Sequence, residues 1–102
     1  MLVIVCESRV KAGREAEFER RYGPEGDWAR LFGQSAAFHG TELLHDTADA
    51  NRYLTLDRWE SAAAFEEFKR QKAQAYAKLD AECEALTESG RCLGWFEVSD
   101  SR

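Results

Sequence analysis

Proline occurs once in this chain, at Pro24, and histidine only twice, at His39 and His45. Cysteine is also sparse. Cys6, Cys83 and Cys92 are odd in number and far apart in sequence. They form no CxxC pair and no zinc-ligand spacing, so a disulfide framework and a structural zinc are both excluded. Free thiols in a reducing cytosol are expected. No apolar run approaches the roughly 20 residues that a membrane span requires. The net charge is −5, with acidic and basic residues interleaved in both halves. A grip on nucleic acid needs a clustered basic face, and none is present. Strand-like residues begin at Leu2, so a secretory leader is not expected and a cytoplasmic location is. The chain also lacks GxGxxG, P-loop, GxSxG and HExxH patterns.

What is present reads as one soluble domain over residues 1–102: hydrophobic residues make up 44% and charged residues 32%. The most informative stretch is Tyr53-Leu-Thr-Leu-Asp-Arg-Trp-Glu-Ser61. Its aliphatic, aromatic and β-branched residues suit a pleated strand up to Trp59. Ser61 can then cap a helix, and the period changes. Phe65, Phe68, Lys72, Ala75, Leu79, Cys83 and Leu86 recur at the threes and fours of one helix face. This pattern predicts a helix over Ser61–Glu88, with a break near Gln71–Lys72 where the inward face turns polar. Gly90 suits a left-handed residue after it.

The remaining elements follow in order. Leu2–Val10 predicts a strand covered on both faces. Glu15–Tyr22 predicts a helix with Phe18 stacked on Tyr22 at i, i+4, broken by Tyr22-Gly-Pro-Glu-Gly26. Asp27 can cap a second short helix carrying Trp28, Leu31 and Phe32, which Gly33 helps to end. Strands are expected at Phe38–Asp46, Arg52–Trp59 and Arg91–Val98, and a frayed tail at Ser99–Arg102. The order β-α-β-β-α-β predicts an α+β ferredoxin-like sandwich, with helices on one face of a four-stranded antiparallel sheet. Leu54 and Leu56 point to one side of the third strand, and Tyr53, Thr55, Asp57 and Trp59 to the other. Leu93 and Trp95 oppose Phe96 and Val98 on the fourth, although one bulge would swap sides. Neither face of the sheet is plainly polar. The uncovered face is therefore expected to close on a second copy of the chain, giving a homodimer.

Val10-Lys-Ala-Gly-Arg-Glu-Ala-Glu-Phe18, Gly40-Thr-Glu-Leu-Leu44 and Tyr53-Leu-Thr-Leu-Asp-Arg-Trp-Glu-Ser61 with Ala64-Phe65 resemble the antibiotic-biosynthesis-monooxygenase-like family of dimeric α/β barrels. The resemblance spans nearly the whole chain. It implies one of three outcomes: oxidation of aromatic phenols to quinones by O2 without metal or flavin, haem degradation, or a small dimer with no established reaction. The haem branch relies on an Asn on the first strand and on a Trp and an iron-ligating His in the long helix. At the matching places this chain has Glu7, Phe68 and Lys78, so haem is not expected and no cofactor is.

His39 and His45 lie six apart on one strand, about 20 Å from each other, and cannot share a metal within a monomer. His39 is a candidate general base for a phenol, and His45 is expected at the solvent. Asp57 and Glu7 are carboxylates inside apolar strands, so each must be paired, exposed or functional. Asp57 is the second candidate catalytic group, able to orient His39 or take a phenol proton; Arg9, Arg52 and Arg58 are the alternative ion-pair partners. Trp28, Phe32, Tyr53, Phe68 and Trp95 are candidate walls for a flat ring, whereas Trp59 reads as core. Trp28 and Phe32, after the Gly-Pro-Glu-Gly hinge, sit on a possible lid. The expected function is a cofactor-independent monooxygenase acting with O2 on a small aromatic or phenolic substrate. The alternative is a non-catalytic dimer that binds a small hydrophobic ligand or acts as an accessory protein.

Overall fold

The computed structural model describes residues 1–99. Three strands and one helix match their predicted bounds closely: β1 (Leu2–Val10), α1 (Glu15–Tyr22), β2 (Phe38–His45) and β3 (Arg52–Trp59). Between α1 and β2 lies α2 (Asp27–Phe32); after β3 come α3 (Ala62–Gln71), α4 (Ala73–Cys83) and β4 (Thr87–Glu97). The sheet is antiparallel in the order β2-β3-β1-β4, with the helices on one face. This is the ferredoxin-like arrangement. The tail expected at Ser99–Arg102 lies outside the described residues from position 100 onward.

The switch from strand to helix works as its residues require. Ser61 is extended (φ −159°, ψ 164°), and its hydroxyl accepts the Ala64 N–H at 3.1 Å, satisfying one orphan donor of α3. On α1, Phe18 and Tyr22 stack at 4.1 Å and 14°. Trp59 is fully buried. Its ring lies 5.2–5.4 Å from those of Phe32, Phe38, Phe65 and Phe68. Edge-to-face and tilted pairs at this spacing add to what area burial contributes. At the other end of β3, Tyr53 packs on Phe18 and donates its hydroxyl to Glu19 at 2.5 Å.

The expectations at Asp27, Ala75 and Gly90 need correction. Asp27 does not cap α2: Gly26 holds the cap position, because a Cβ there would meet the Arg20 and Arg21 carbonyls at 2.4 and 2.5 Å. The Asp27 carboxylate instead pairs with Arg21 (2.9 Å) and Arg30 (3.0 Å). The long helical pattern is interrupted at Lys72 (φ −110°, ψ 29°), as its polar inward face implied. The interruption rotates the following face, so Tyr76 turns inward and Ala75 faces solvent. Gly90 is not a left-handed terminator. A single 3₁₀ turn (Glu84–Leu86) leads into extended Thr87, so β4 starts early and Gly90 pairs with Ser8 inside it. The left-handed glycines are Gly13 (φ 88°) and Gly40 (φ 113°).

The outer face of the sheet has no helix over it. Val5, Leu54 and Leu56 are adjacent there, flanked by Leu44 (42% exposed) and Phe96 (52%). The charges beside them are paired: Arg58 with Glu42 at 2.8 Å, and Glu7 with Arg52 at 2.6 Å and Arg91 at 3.1 Å.

Replacing Ser61 by Ala should cost about 1 kcal/mol in urea unfolding, and Ser61→Gly only a few tenths. Equal stability of all three proteins would mean that the cap does not hold the strand–helix junction.

Candidate functional site

Along the inner face of the sheet, side-chain size follows a profile. Tyr53 and Trp59 fill the ends of β3, while Thr55 and Asp57 lie between them. The neighbouring positions are small as well: Cys6 pairs with Thr55, Ser8 with Tyr53 and Thr41 with Asp57. The helices rest on the large ends and cannot collapse onto the middle. A cavity of about 140 Å³ remains, floored by these short side chains. Tyr22 of α1, Trp28 and Phe32 of α2, and Tyr76 and Asp80 of α4 form its walls. The break at Lys72 is what brings Tyr76 and Asp80, one turn apart, to this side.

Asp57 is the reactive feature of the floor. Thr41 Oγ1 donates to its Oδ1 at 2.5 Å, and no Lys or Arg pairs with it among the described residues. Burial pushes its pKa above the ordinary aspartate value, and the Thr41 bond only partly offsets this. The hydroxyls and thiol around it move the same way. Burial pushes Cys6 up to about 12, and burial together with the Asp80 charge pushes Tyr76 up to about 12. Burial raises Tyr22 too. These groups therefore keep their protons at neutral pH and serve as donors; the carboxyl groups that line the cavity are Asp57 on its floor and Asp80 on its wall. The indole N–H of Trp28 is buried with no hydrogen-bond partner. Among the described residues, no three His, Cys, Asp or Glu side chains converge as metal ligands.

Of the residues singled out from sequence, Asp57, Trp28 and Phe32 meet at this cavity. The others lie elsewhere. His39 is exposed and is not among the lining residues; it is not brought to Asp57. Tyr53 is sealed against Phe18 and stacked under His45 at 4.1 Å. Phe68 packs in the core against Trp59 and Phe32. Trp95 lies at the sheet edge, against Phe65 at 5.5 Å. Glu7 is on the outer face, and its arginine partners hold its pKa below the ordinary glutamate value.

Thr41, Tyr22, Tyr76, Asp80, Cys6 and Ser8 were not anticipated. His39 is displaced by a bulge. Phe38 faces Trp59, but Gly40 rather than His39 faces Arg58. Counted from the hairpin, where His45 faces Tyr53 and Thr41 faces Asp57, a regular ladder would keep His39 on the same inner side; the extra residue turns it outward. Gly40, a glycine inside a strand pattern, was the available signal.

The profile of the antibiotic biosynthesis monooxygenase family matches residues 1–78. No curated protein matches the chain. Among solved structures, the cofactor-independent oxygenase SnoaB of Streptomyces nogalater superposes with a TM-score of 0.80 at 22% identity, covering 98% of this chain and 94% of that one. PA3566 of Pseudomonas aeruginosa gives 0.68 at 16% identity, covering 96% and 93%. An uncharacterised NIPSNAP domain protein of Burkholderia xenovorans gives 0.72 at 16% identity, covering 98% and 96%. At these identities the likeness establishes the fold alone.

The burial of Asp57 has a consequence for stability. Its folded pKa is raised, so its stabilising contribution is complete below the unfolded value and is lost as pH rises through the folded one. Asp57→Asn keeps the acceptor for Thr41 and removes the charge. Thermal melts across pH should show the variant more stable by a few degrees at neutral pH, with the gap closing in acid. A variant less stable at neutral pH would show that the carboxylate has a stabilising partner.

Proposed function

This chain belongs to the antibiotic biosynthesis monooxygenase family, and on that premise we propose that it is a cofactor-independent monooxygenase which oxidises a small phenolic ring with O2. The observation that carries this reading is Asp57: an ionisable group without a cationic partner on the floor of an aromatic-walled cavity. A pocket that only bound a hydrophobic ligand has no need of a desolvated carboxylate, which costs stability. A proton acceptor has that need, since raising its pKa brings it nearer to that of the phenol it serves.

In the proposed reaction the substrate ring lies between Trp28, Phe32 and Tyr76. Asp57 takes the phenolic proton, directly or through one water. Loss of that proton makes the ring electron-rich enough to reduce O2. One oxygen atom enters the ring as a carbonyl, and the other leaves as water with the two hydrogens removed from the substrate. The buried donors have separate tasks. Thr41 fixes the carboxylate rotamer, while the Tyr22 and Tyr76 hydroxyls and the Trp28 N–H can donate to oxygen atoms of the substrate. In size the cavity is close to those that accept a single benzene ring, about 150 Å³. A one-ring head is therefore favoured, with any further portion lying toward the open side.

The working unit in this proposal is a cytoplasmic homodimer. Its support is the helix-free face carrying Val5, Leu54, Leu56 and Phe96, bordered by charges already paired within the chain. Such a face is stabilised by meeting its own copy about a twofold axis. Sedimentation equilibrium at micromolar concentration should give a dimer, and Leu56→Glu a monomer. A folded wild-type monomer would remove this part of the proposal.

The activity test is oxygen uptake with hydroxylated naphthalenes and anthrones. Wild-type kcat/KM should rise with pH along the ionisation of Asp57, whose pKa lies above the ordinary aspartate range. Asp57→Asn should lower it by roughly 10²–10⁴-fold and abolish that limb, while His39→Ala leaves both intact. No uptake with any phenol would contradict the enzyme reading. Uptake that survives Asp57→Asn but fails in His39→Ala would move the base.

A further inference from the structure

The strand β4 contains a bulge of its own. Gly94 faces Val5, so a regular ladder would place Leu93 opposite Cys6. The register shifts instead, and Cys92 faces Cys6. The extra residue re-aims Cys92 onto the inner face of the sheet. Two thiols 86 positions apart in sequence thus stand side by side on antiparallel neighbours. The Cys92 thiol donates to the Val5 carbonyl, next to Cys6, at 3.6 Å. Directly opposed residues in such a ladder have Cα atoms about 4.5–5.5 Å apart. A disulfide needs about 4.4–6.8 Å.

The surroundings differ for the two sulfurs. Cys6 is half-buried and forms part of the cavity wall, whereas Cys92 is exposed. Both border a groove of about 460 Å³ between α4 and β4, which shares Cys6, Ser8, Tyr22 and Asp80 with the cavity. The pair therefore stands where cavity and groove meet, and the outer member is open to small solutes.

We propose that Cys6 and Cys92 are an oxidation-sensitive cross-strand pair, which hydrogen peroxide converts to an intramolecular disulfide at the mouth of the cavity. Cys92, the accessible sulfur, attacks peroxide as its thiolate. The O–O bond breaks, a sulfenic acid forms, and the second oxygen leaves as water. Cys6 then attacks that sulfur, the S–O bond breaks, and the Cys6 proton leaves with the departing hydroxide as a second water. Two thiols lose two electrons and peroxide gains them. The product ties the edge strand β4 to β1, and thiol reductant reverses it. Nothing in this step depends on the oxygenase reaction.

The test is intact mass and thiol titration of the full chain, reduced and then treated with stoichiometric peroxide. Wild type should lose about 2 Da, one pair of hydrogens per disulfide. Denatured thiol titration should fall from three groups to one, and dithiothreitol should restore it. Proteolysis without reductant should yield a peptide joining β1 to β4. Cys92→Ser and Cys6→Ser should each fail to lose this mass, and the variant that keeps Cys92 should gain oxygen. Oxygen addition to wild type without cross-linking, a link to Cys83, or a link between two chains would each overturn the proposal.

Discussion

Tyr53 and Trp59 stand six residues apart on the inner face of β3, and the inward positions between them, Thr55 and Asp57, are small. The rest of the molecule depends on that contrast. The two large rings anchor the helical layer through Phe18 at one end and through Phe32, Phe65 and Phe68 at the other. Close packing normally closes such a gap. Here rigid aromatic contacts at both ends hold the helices off the centre of the sheet, and a cavity persists over Thr41, Thr55 and Asp57. The break at Lys72 contributes from the opposite side. A straight continuous helix would have kept Ala75 inward, leaving Tyr76 and Asp80 turned away.

The site has an energetic cost that the core is arranged to offset. A carboxylate held by one threonine, and buried donors such as the Trp28 N–H with no partner, are both destabilising where they stand. They lie beside the most densely aromatic part of the chain, where burial of Trp59, Phe32, Phe65 and Phe68 supplies the favourable term. The Trp59 N–H, also without a partner, lies within that packed core itself.

Much of this was legible in the amino-acid order, because it rests on local periodicity. Alternation over Tyr53–Trp59, the Ser61 cap, the Phe18–Tyr22 pair and the interruption at Lys72 are all written within a few residues of where they act. The sequence also pointed to Asp57, Trp28 and Phe32, since a carboxylate in an apolar strand and aromatics after a glycine hinge are conspicuous. What stayed hidden is register. His39 looked like the partner of Asp57 because a regular strand keeps it on the same side as Thr41; the bulge between Phe38 and Gly40 turns it to the other side. Cys6 and Cys92 looked unrelated because only the bulge at Leu93 makes them neighbours. A glycine near each bulge hints at irregularity, but a hint of a bulge does not say which residue it re-aims. Tyr22, Tyr76 and Asp80 depend on how separate helices meet, which no local pattern encodes.

At the centre of this account is a carboxyl group kept in an aromatic-walled, cation-free cleft so that it can accept a proton from a ring. Its titration can be read directly from the carboxyl ¹³C resonance of aspartate-labelled protein, assigned by its loss in an Asp57→Asn sample. The account predicts a midpoint above the ordinary aspartate value of 3.8, displaced further when a phenol occupies the cavity. A midpoint at or below that value, unmoved by any ring ligand, would contradict it.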